Sequence, residues 1–317
     1  MSNRNLRYLE AILETGSILG ASRRLYVSQP GLSQYVKRIE ADYGITVFNR
    51  QTTPWTLTEE GEELMEALRA IEKIDRECRQ RFEDRKNYKT GQIRIASTAY
   101  RTATLLNPVL SHFKKDYPGI VVRIEEGNTA EVMSHIEAGH VDCGVVISSM
   151  IPSTLEHIRI YGEEVLLALP SDHPYVKARP KPPGRFDELR LTEIAGTPFI
   201  IMKVGQIFHE YFYQLCASNG IELPVTLETQ SILTVPALVE TGIGAALVPS
   251  TIVDECLRRN IAIYRPVPAF ASNDVSVAWK QNRYCSYATR LFIRRALEVL
   301  RPEAIGQLPA KLAMPQA

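Results

Sequence analysis

Residues 17–40 read SILGASRRLYVSQPGLSQYVKRIE. Two short helical patterns meet here around Tyr26-Val27. Ile18, Ala21, Ser22 and Leu25 recur at helical spacing in the first, and Leu32, Val36 and Ile39 in the second. Ser17 and Ser28 stand where N-caps belong. Pro30 falls in the first turn of the second helix, where its missing N–H costs nothing. The other faces of that helix carry Gln29, Ser33, Gln34, Lys37 and Arg38. Such side chains suit a helix that enters the major groove of duplex DNA, where short polar groups reach base edges from the N-terminal turns. The pair reads as a helix-turn-helix.

The flanks extend this unit. Leu6, Leu9, Ile12 and Leu13 predict a helix over 3–15, ended by Gly16. Gly44 closes the reading helix. Val47–Arg50 and Pro54–Thr58 then suggest two strands around a polar turn, a wing with Arg50 on it. Residues 1–58 hold seven basic and four acidic side chains, a balance that weakly favours a phosphate partner. Gln29, Ser33 and Gln34 are the candidate base readers; their bland alternative is a solvated face. Ser28, Lys37, Arg38 and Arg50 are candidate phosphate or positioning contacts. Pro30 stiffens the entry to the helix and is placed to touch a thymine methyl.

Thr58 opens a proline-free run to residue 88, with Glu59, Glu60, Glu62 and Glu63 at its positive end. Leu64, Leu68, Ile71, Ile74, Cys78 and Phe82 recur at steps of three and four. The narrow seam suggests a dimerising coiled coil; the alternative is a helix lying on its own domain. From Thr90 the pattern alternates strand and helix: strands at 93–97, 120–124 and 141–147, helices between them, and a second set from 164 to 249. A late strand at 275–279 and a helix at 286–300 follow, and the tail after Pro302 reads as loose. The alternation predicts open parallel sheets.

Ligands of such sheets sit beyond the carboxyl ends of the strands, near helix N-termini. That selects Ser97, Thr98, Tyr100, Arg101 and Thr102 after the first strand, Asn128 and Thr129 after the second, and Ser148 after the third. The second set adds Lys203, Gly205, Gln206 and Thr229. Hydroxyls, backbone N–H groups and two cations suit a small anionic metabolite; each hydroxyl is equally suited to capping a helix.

Composition narrows the class. The chain has 317 residues, 45% of them hydrophobic and 23% charged, with a net charge of +1. That is room for two or three domains of a soluble protein. No apolar run reaches the length of a membrane span, and MSNRNLRYLE is not a secretory leader, so the expected location is cytoplasmic. The five cysteines are scattered and lack CxxC pairs, and the six histidines show no metal spacing. No nucleophile elbow or phosphate loop stands at a strand–helix junction. The reading is not an enzyme, with no cofactor and no metal.

The N-terminal residues resemble the winged helix-turn-helix of LysR-type transcriptional regulators. The resemblance rests on Leu9, Gly16-Ser17, Ala21 with Leu25, Ser28-Gln29-Pro30, Leu32-Ser33, Ile39-Glu40, Gly44, Phe48 with Arg50, and Leu57-Thr58 with Gly61. Farther on, Tyr117-Pro118-Gly119, GHVDCGVV at 139–146 and TGIGAALVP at 241–249 are similar to segments of the same family. Two positions depart from it: Gln34 stands where many members carry arginine, and Gly20 where alanine is common. The amide of Gln34 suits adenine, whereas arginine favours guanine.

The resemblance implies an α/β protein in three parts: a winged helix-turn-helix at 1–58, a linker dimerisation helix at 59–89, and a two-lobed, periplasmic-binding-protein-like effector domain at 90–317. Lobe 1 would take about 90–162 and 268–302, and lobe 2 about 163–267. It also implies an operator in double-stranded DNA, a small-molecule effector between the lobes, a homodimer through the linker helix, commonly a homotetramer, and RNA polymerase as a further partner. The alternative is a solute-binding or enzymatic α/β protein with an accessory N-terminal helical domain.

Overall fold

The structure, a computed structural model, describes residues 2–86, 90–179, 186–270, 273–281, 283–307, 309 and 312. The chain divides into two compact units, Met1–Phe82 and Glu83–Ala317. In the first, α1 (Ser2–Thr15), α2 (Ile18–Leu25) and α3 (Gln29–Tyr43) precede strands β1 (Phe48–Asn49) and β2 (Thr56–Leu57) and helix α4 (Glu59–Lys86). β1 and β2 pair antiparallel, Phe48 opposite Leu57. Leu9, Ile12, Ala21, Leu32, Val36, Val47, Phe48, Met65 and Leu68 are each at most 1% exposed and form one core.

Local chemistry sets the boundaries. The Ser17 hydroxyl accepts the N–H of Gly20 at 3.0 Å and starts α2. Ser17→Ala is expected to cost about 1 kcal/mol of this unit's stability, read as a lower unfolding midpoint. The start of α4 lies so near the wing that a Cβ at Gly61 would sit 2.1 Å from the Val47 carbonyl oxygen. Only glycine fits there.

α4 has 28 residues and is about 42 Å long. The expected end of the linker, residues 87–89, lies outside the described residues. The apolar seam divides in two: Leu64 and Leu68 are buried in the first unit's core, whereas Ile71, Ile74, Cys78 and Phe82 are exposed.

The second unit opens with β3 (Gly91–Ser97), α5 (Ala99–Arg101), a π-helical stretch at Thr102–Leu106 and α6 (Asn107–Asp116). β4 (Ile120–Glu126), α7 (Thr129–Ala138), β5 (Cys143–Ile147) and β6 (Leu155–Glu163) complete the first pass through lobe 1. Lobe 2 holds β7 (Val165–Leu169), α8 (Pro174–Ala178), β8 (Glu188–Arg190), β9 (Phe199–Met202), α9 (Ile207–Asn219) and β10 (Val225–Thr229). It continues with α10 (Val235–Glu240), β11 (Ala246–Pro249), α11 (Val253–Arg258) and β12 (Ala262–Val267). The chain re-enters lobe 1 as β13 (Asn273–Lys280) and α12 (Tyr287–Leu300).

The larger sheet of each lobe is mixed, not parallel throughout. In lobe 1 the order is β4-β3-β5-β13-β6, with β3 parallel to β4 and β5 and β13 antiparallel to β5 and β6. The reason is topological. β13 returns from lobe 2 at the carboxyl end of β5 and must run back against it. In lobe 2 the order is β11-β7-β12-β8, with β11 and β12 antiparallel to β7, while β9 and β10 form a parallel pair. Phe113 of α6 meets Phe292 of α12 edge-to-face at 5.9 Å in the lobe 1 core. Ala304 and Leu312 are buried in that core too, so the segment beyond Pro302, expected to be loose, is anchored at these two side chains. Among the described residues no helix is long and apolar enough to cross a membrane.

Candidate functional site

Two surfaces concentrate the chemistry. The first is the open side of α3. The Ser28 hydroxyl caps this helix by accepting the Gly31 N–H at 3.3 Å, which leaves its own proton free to donate. Gln29, Pro30, Gln34, Lys37 and Arg38 are exposed and Ser33 is half-buried. Arg38 lies 3.9 Å from Asp42, a loose solvent-exposed pair. Arg50 is more committed. Its guanidinium is 2.5 Å from Glu40 and stacks over Trp55 at 5.7 Å, while Glu40 also accepts the Val47 N–H. Its first task is to tie the wing to α3. Tyr26, read from sequence only as part of a turn, ends α2 in the left-handed conformation, φ 54°, with a ring 96% exposed. No periodic signal marks such a residue; only the geometry of the turn reveals it.

The second surface is a cleft of about 370 Å³ between lobe 1 and lobe 2. Lobe 1 supplies Thr98, Tyr100, Glu126, Asn128, Thr129 and Glu131, and lobe 2 supplies Lys203, Gln206, Phe208, Gln230 and Ser231. The strands explain the placement: β3, β4, β9 and β10 all end at this cleft. Thr98 is 4% exposed, and its Oγ1 has no hydrogen-bond partner among the described residues. A buried hydroxyl without a partner is costly, and a ligand that bonds it recovers the loss. Asn128 and Glu131 form a capping box, with Asn128 Oδ1 accepting the Glu131 N–H at 2.9 Å and Glu131 accepting the Asn128 N–H at 2.7 Å. The Asn128 amide N–H₂ remains for other partners.

The remaining sequence candidates sit just outside the cleft. Ser97 and Thr102 hydroxyls donate to the Thr98 carbonyl at 3.2 Å each. Ser148 pairs with the Ser276 hydroxyl at 2.7 Å, and Thr229 accepts the Ser231 N–H at 3.2 Å. Gly205, φ 88°, faces the Asn128 amide: a Cβ there would lie 3.5 Å from Nδ2. Arg101 points away, into the interior. It is 1% exposed and lies 3.7 Å from Glu163, which is fully buried. Sequence reasoning missed Glu126 and Glu131, because acidic residues at a strand end and in a first helical turn look like solvated surface.

Glu163 organises a buried network where the two lobes join. It ends β6, and its register partner Asn273 begins β13. Glu163 accepts from Thr251 at 3.0 Å, from Asn273 at 2.9 Å and from Tyr100 at 3.3 Å. Tyr211 donates to Asn273 at 2.7 Å. Both crossing strands are thereby tied to lobe 1 through Tyr100 and to lobe 2 through Thr251 and Tyr211. Tyr100 also lines the cleft, so the joint and the ligand space share a side chain. Burial pushes the Glu163 carboxyl above its ordinary range, and Arg101 opposes that shift.

Among the described residues no group of His, Cys, Asp and Glu is arranged to hold a metal ion. Residues 3–62 match the family model of bacterial regulatory helix-turn-helix proteins of the LysR family. Residues 86–301 match the LysR substrate-binding domain. The HTH-type transcriptional regulator YnfL of Escherichia coli, itself uncharacterized, is 28% identical over 306 residues, covering 94% of this chain and 98% of its own. The structure of CbnR, a LysR-family regulator, superposes with a TM-score of 0.67 at 21% identity over 95% of this chain and all of that one. The effector-binding domain of QuiR, solved with shikimate, covers 67% of this chain and 98% of its own with a TM-score of 0.57 at 16% identity. The cleft and the helix-turn-helix therefore have a common context, and this chain belongs to the LysR family of DNA-binding transcriptional regulators, which are not enzymes.

Proposed function

We propose that α3 reads an operator through Gln29, Ser33 and Gln34, and that a small metabolite held by a carboxylate in the cleft switches the regulator. The observation that carries this reading is the cleft itself: both lobes build it, and it contains a buried hydroxyl, Thr98 Oγ1, with no partner among the described residues. Thr98, Tyr100, Asn128, Thr129, Lys203 and Gln206 are the binding candidates that line it. Shikimate, a small hydroxylated carboxylate held by the QuiR domain, fits the same class of ligand. A ligand that touches both lobes prefers a closed arrangement and shifts the population towards it. The exposed half of the α4 seam would join two copies, so that a change in the paired helices alters half-site spacing or DNA bend. Tetramer formation and contact with RNA polymerase belong to the same proposal, as does a place of work beside the chromosome in the cytoplasm.

A footprint on DNA upstream of the protein's own gene, with and without small-metabolite extract, tests both halves. Protection of a discrete site that changes in length or pattern with extract supports the reading; uniform, sequence-blind protection sinks it. Gln34→Ala is expected to cost about 1–3 kcal/mol on the native operator and much less on one altered at the base it contacts. Lys37→Ala, which removes an exposed cation, is expected to weaken every duplex alike and lower the salt slope by about one. Anisotropy titrations at several salt concentrations separate the two behaviours.

A further inference from the structure

We propose that the effector is a small zwitterion, an amino acid or a close analogue, whose carboxylate faces lobe 2 and whose ammonium group faces Glu126. This inference rests on the cleft being the effector site. It begins from the charges that line the cleft. Among the described residues the acidic and basic side chains that line it are Glu126 and Glu131 from lobe 1 and Lys203 from lobe 2. Two carboxylates against one ammonium make the space net negative. An ordinary anion entering it meets repulsion that a single lysine does not cancel.

The charges are also segregated by wall. Lobe 2 presents Lys203 together with the first turn of α9, a helix of 13 residues whose N-cap, Gln206, makes no side-chain capping bond. The Gln206 side chain donates instead to the Gln230 carbonyl at 3.1 Å. The Gln206 N–H donates to the Lys203 carbonyl and the His209 N–H to the Gln206 carbonyl, which leaves the N–H groups of Ile207 and Phe208 for an anionic group, beside a cation of the same wall. Lobe 1 presents the reverse. The N-terminus of α7 already carries a carboxylate of its own, Glu131, held in the capping box, which disfavours a second anion there. Next to it stands Glu126, exposed and, among the described residues, without an ion-pair partner. Lys203 is likewise unpaired among the described residues.

The orphaned Thr98 hydroxyl supplies the independent sign that a polar ligand belongs here. It can accept from an ammonium or donate to a carboxylate, so it does not favour either orientation. The two walls do. A ligand with one charge of each sign satisfies Lys203 and Glu126 together and draws the lobes towards each other. A ligand with carboxylates alone satisfies one wall and strains the other. The volume, about 370 Å³, suits a molecule of amino-acid size.

The test is a titration of the full chain by calorimetry and thermal shift with two matched sets. One holds L-amino acids, β-alanine, 4-aminobutyrate and glycine betaine. The other holds the nitrogen-free hydroxy acids and dicarboxylates of equal length, with shikimate. At least one zwitterion is expected to bind about tenfold or more tightly than its nitrogen-free counterpart, a difference Glu126 would supply. It should raise the unfolding midpoint by about 5 °C or more at a hundredfold excess over its Kd. Glu126→Gln is expected to weaken the zwitterion about tenfold and to tighten the nitrogen-free acid by relieving its repulsion, whereas Lys203→Gln weakens both. Both side chains are exposed, so the unliganded midpoints should match the native chain. A nitrogen-free acid that binds as tightly as its amino counterpart, or discrimination that survives Glu126→Gln, overturns the zwitterion and leaves the cleft as the site. Silence from every compound in both sets overturns the zwitterion and the cleft reading together.

Discussion

Replacing Arg101 by methionine is expected to lower the stability of the Glu83–Ala317 unit by about 3–5 kcal/mol near neutral pH. Arg101 is 1% exposed and Glu163 is not exposed at all, so the substitution strands a carboxylate in the interior. The three hydrogen bonds from Thr251, Asn273 and Tyr100 remain, but the one cation that faces Glu163 among the described residues is lost. Removing one member of a buried pair costs far more than the pair contributes, because the other charge is left without compensation. The pH dependence gives the claim its sharper edge. Burial already raises the Glu163 pKa, and Arg101 holds the rise in check. Without Arg101 the folded value climbs further above the unfolded one. The folded state then binds more protons than the unfolded state, so stability is fully present below the ordinary carboxyl range and is lost as pH rises through the raised value. The deficit of Arg101→Met against the native chain should therefore shrink between about pH 7.5 and about pH 5. Adding Glu163→Gln should recover most of it at neutral pH. Calorimetric unfolding at several pH values reads both effects; a loss under about 1 kcal/mol, or one independent of pH, defeats the argument.

The sequence marked Arg101 as a ligand contact because it follows the first strand, where anions are held in open sheets. What it does instead is invisible in a linear reading. Glu163 and Asn273 are 110 residues apart and meet because one crossing strand leaves lobe 1 beside the point where the other returns. No local pattern announces such a meeting. The same topology hid the antiparallel strands. LEHIRIYGE, residues 155–163, alternates poorly, since only its ends and Ile160 are fully buried, and it does not look like sheet. The helix-turn-helix was legible for the opposite reason. Its determinants are caps, a glycine stop and apolar residues three and four positions apart, all within sixty residues, and each acts on its near neighbours.

The cleft falls between these cases. The rule that ligands gather at strand carboxyl ends found Thr98, Asn128, Lys203 and Gln206, because strand ends can be read from sequence. It could not separate Thr98, whose hydroxyl is unpartnered, from Ser97, whose hydroxyl is spent on a neighbouring carbonyl. Nor could it give sign to the cleft. That needed Glu126 and Glu131 to be placed opposite Lys203, a question of three-dimensional neighbours rather than of spacing.

Ile74→Glu is expected to convert the protein to a monomer and to weaken operator binding about a hundredfold, with no loss in the monomer's own unfolding midpoint. Ile74 is 68% exposed on α4, so its side chain contributes little to the fold of its own unit. It is flanked along the helix by Ile71 at 46%, Phe82 at 54% and the exposed Cys78. Steps of three and four put these four on one stripe, and ion pairs such as Arg79–Asp75 line its side. Leu64 and Leu68, on the same seam, are consumed by the first unit's core, so the unpartnered part begins one turn later. A second copy related by a two-fold axis would cover this stripe with its own. Glutamate at position 74 would then set two like charges against each other in place of an apolar contact. The DNA effect follows from geometry. A dimer holds its second reading helix at a high effective concentration over the second half-site, and a monomer loses that gain without losing a single base contact. Sedimentation velocity measures the first consequence and anisotropy with one and two half-sites the second. A variant that stays dimeric, or a monomer that binds the full operator as tightly as the native chain, would show that the exposed stripe of α4 does not join two copies.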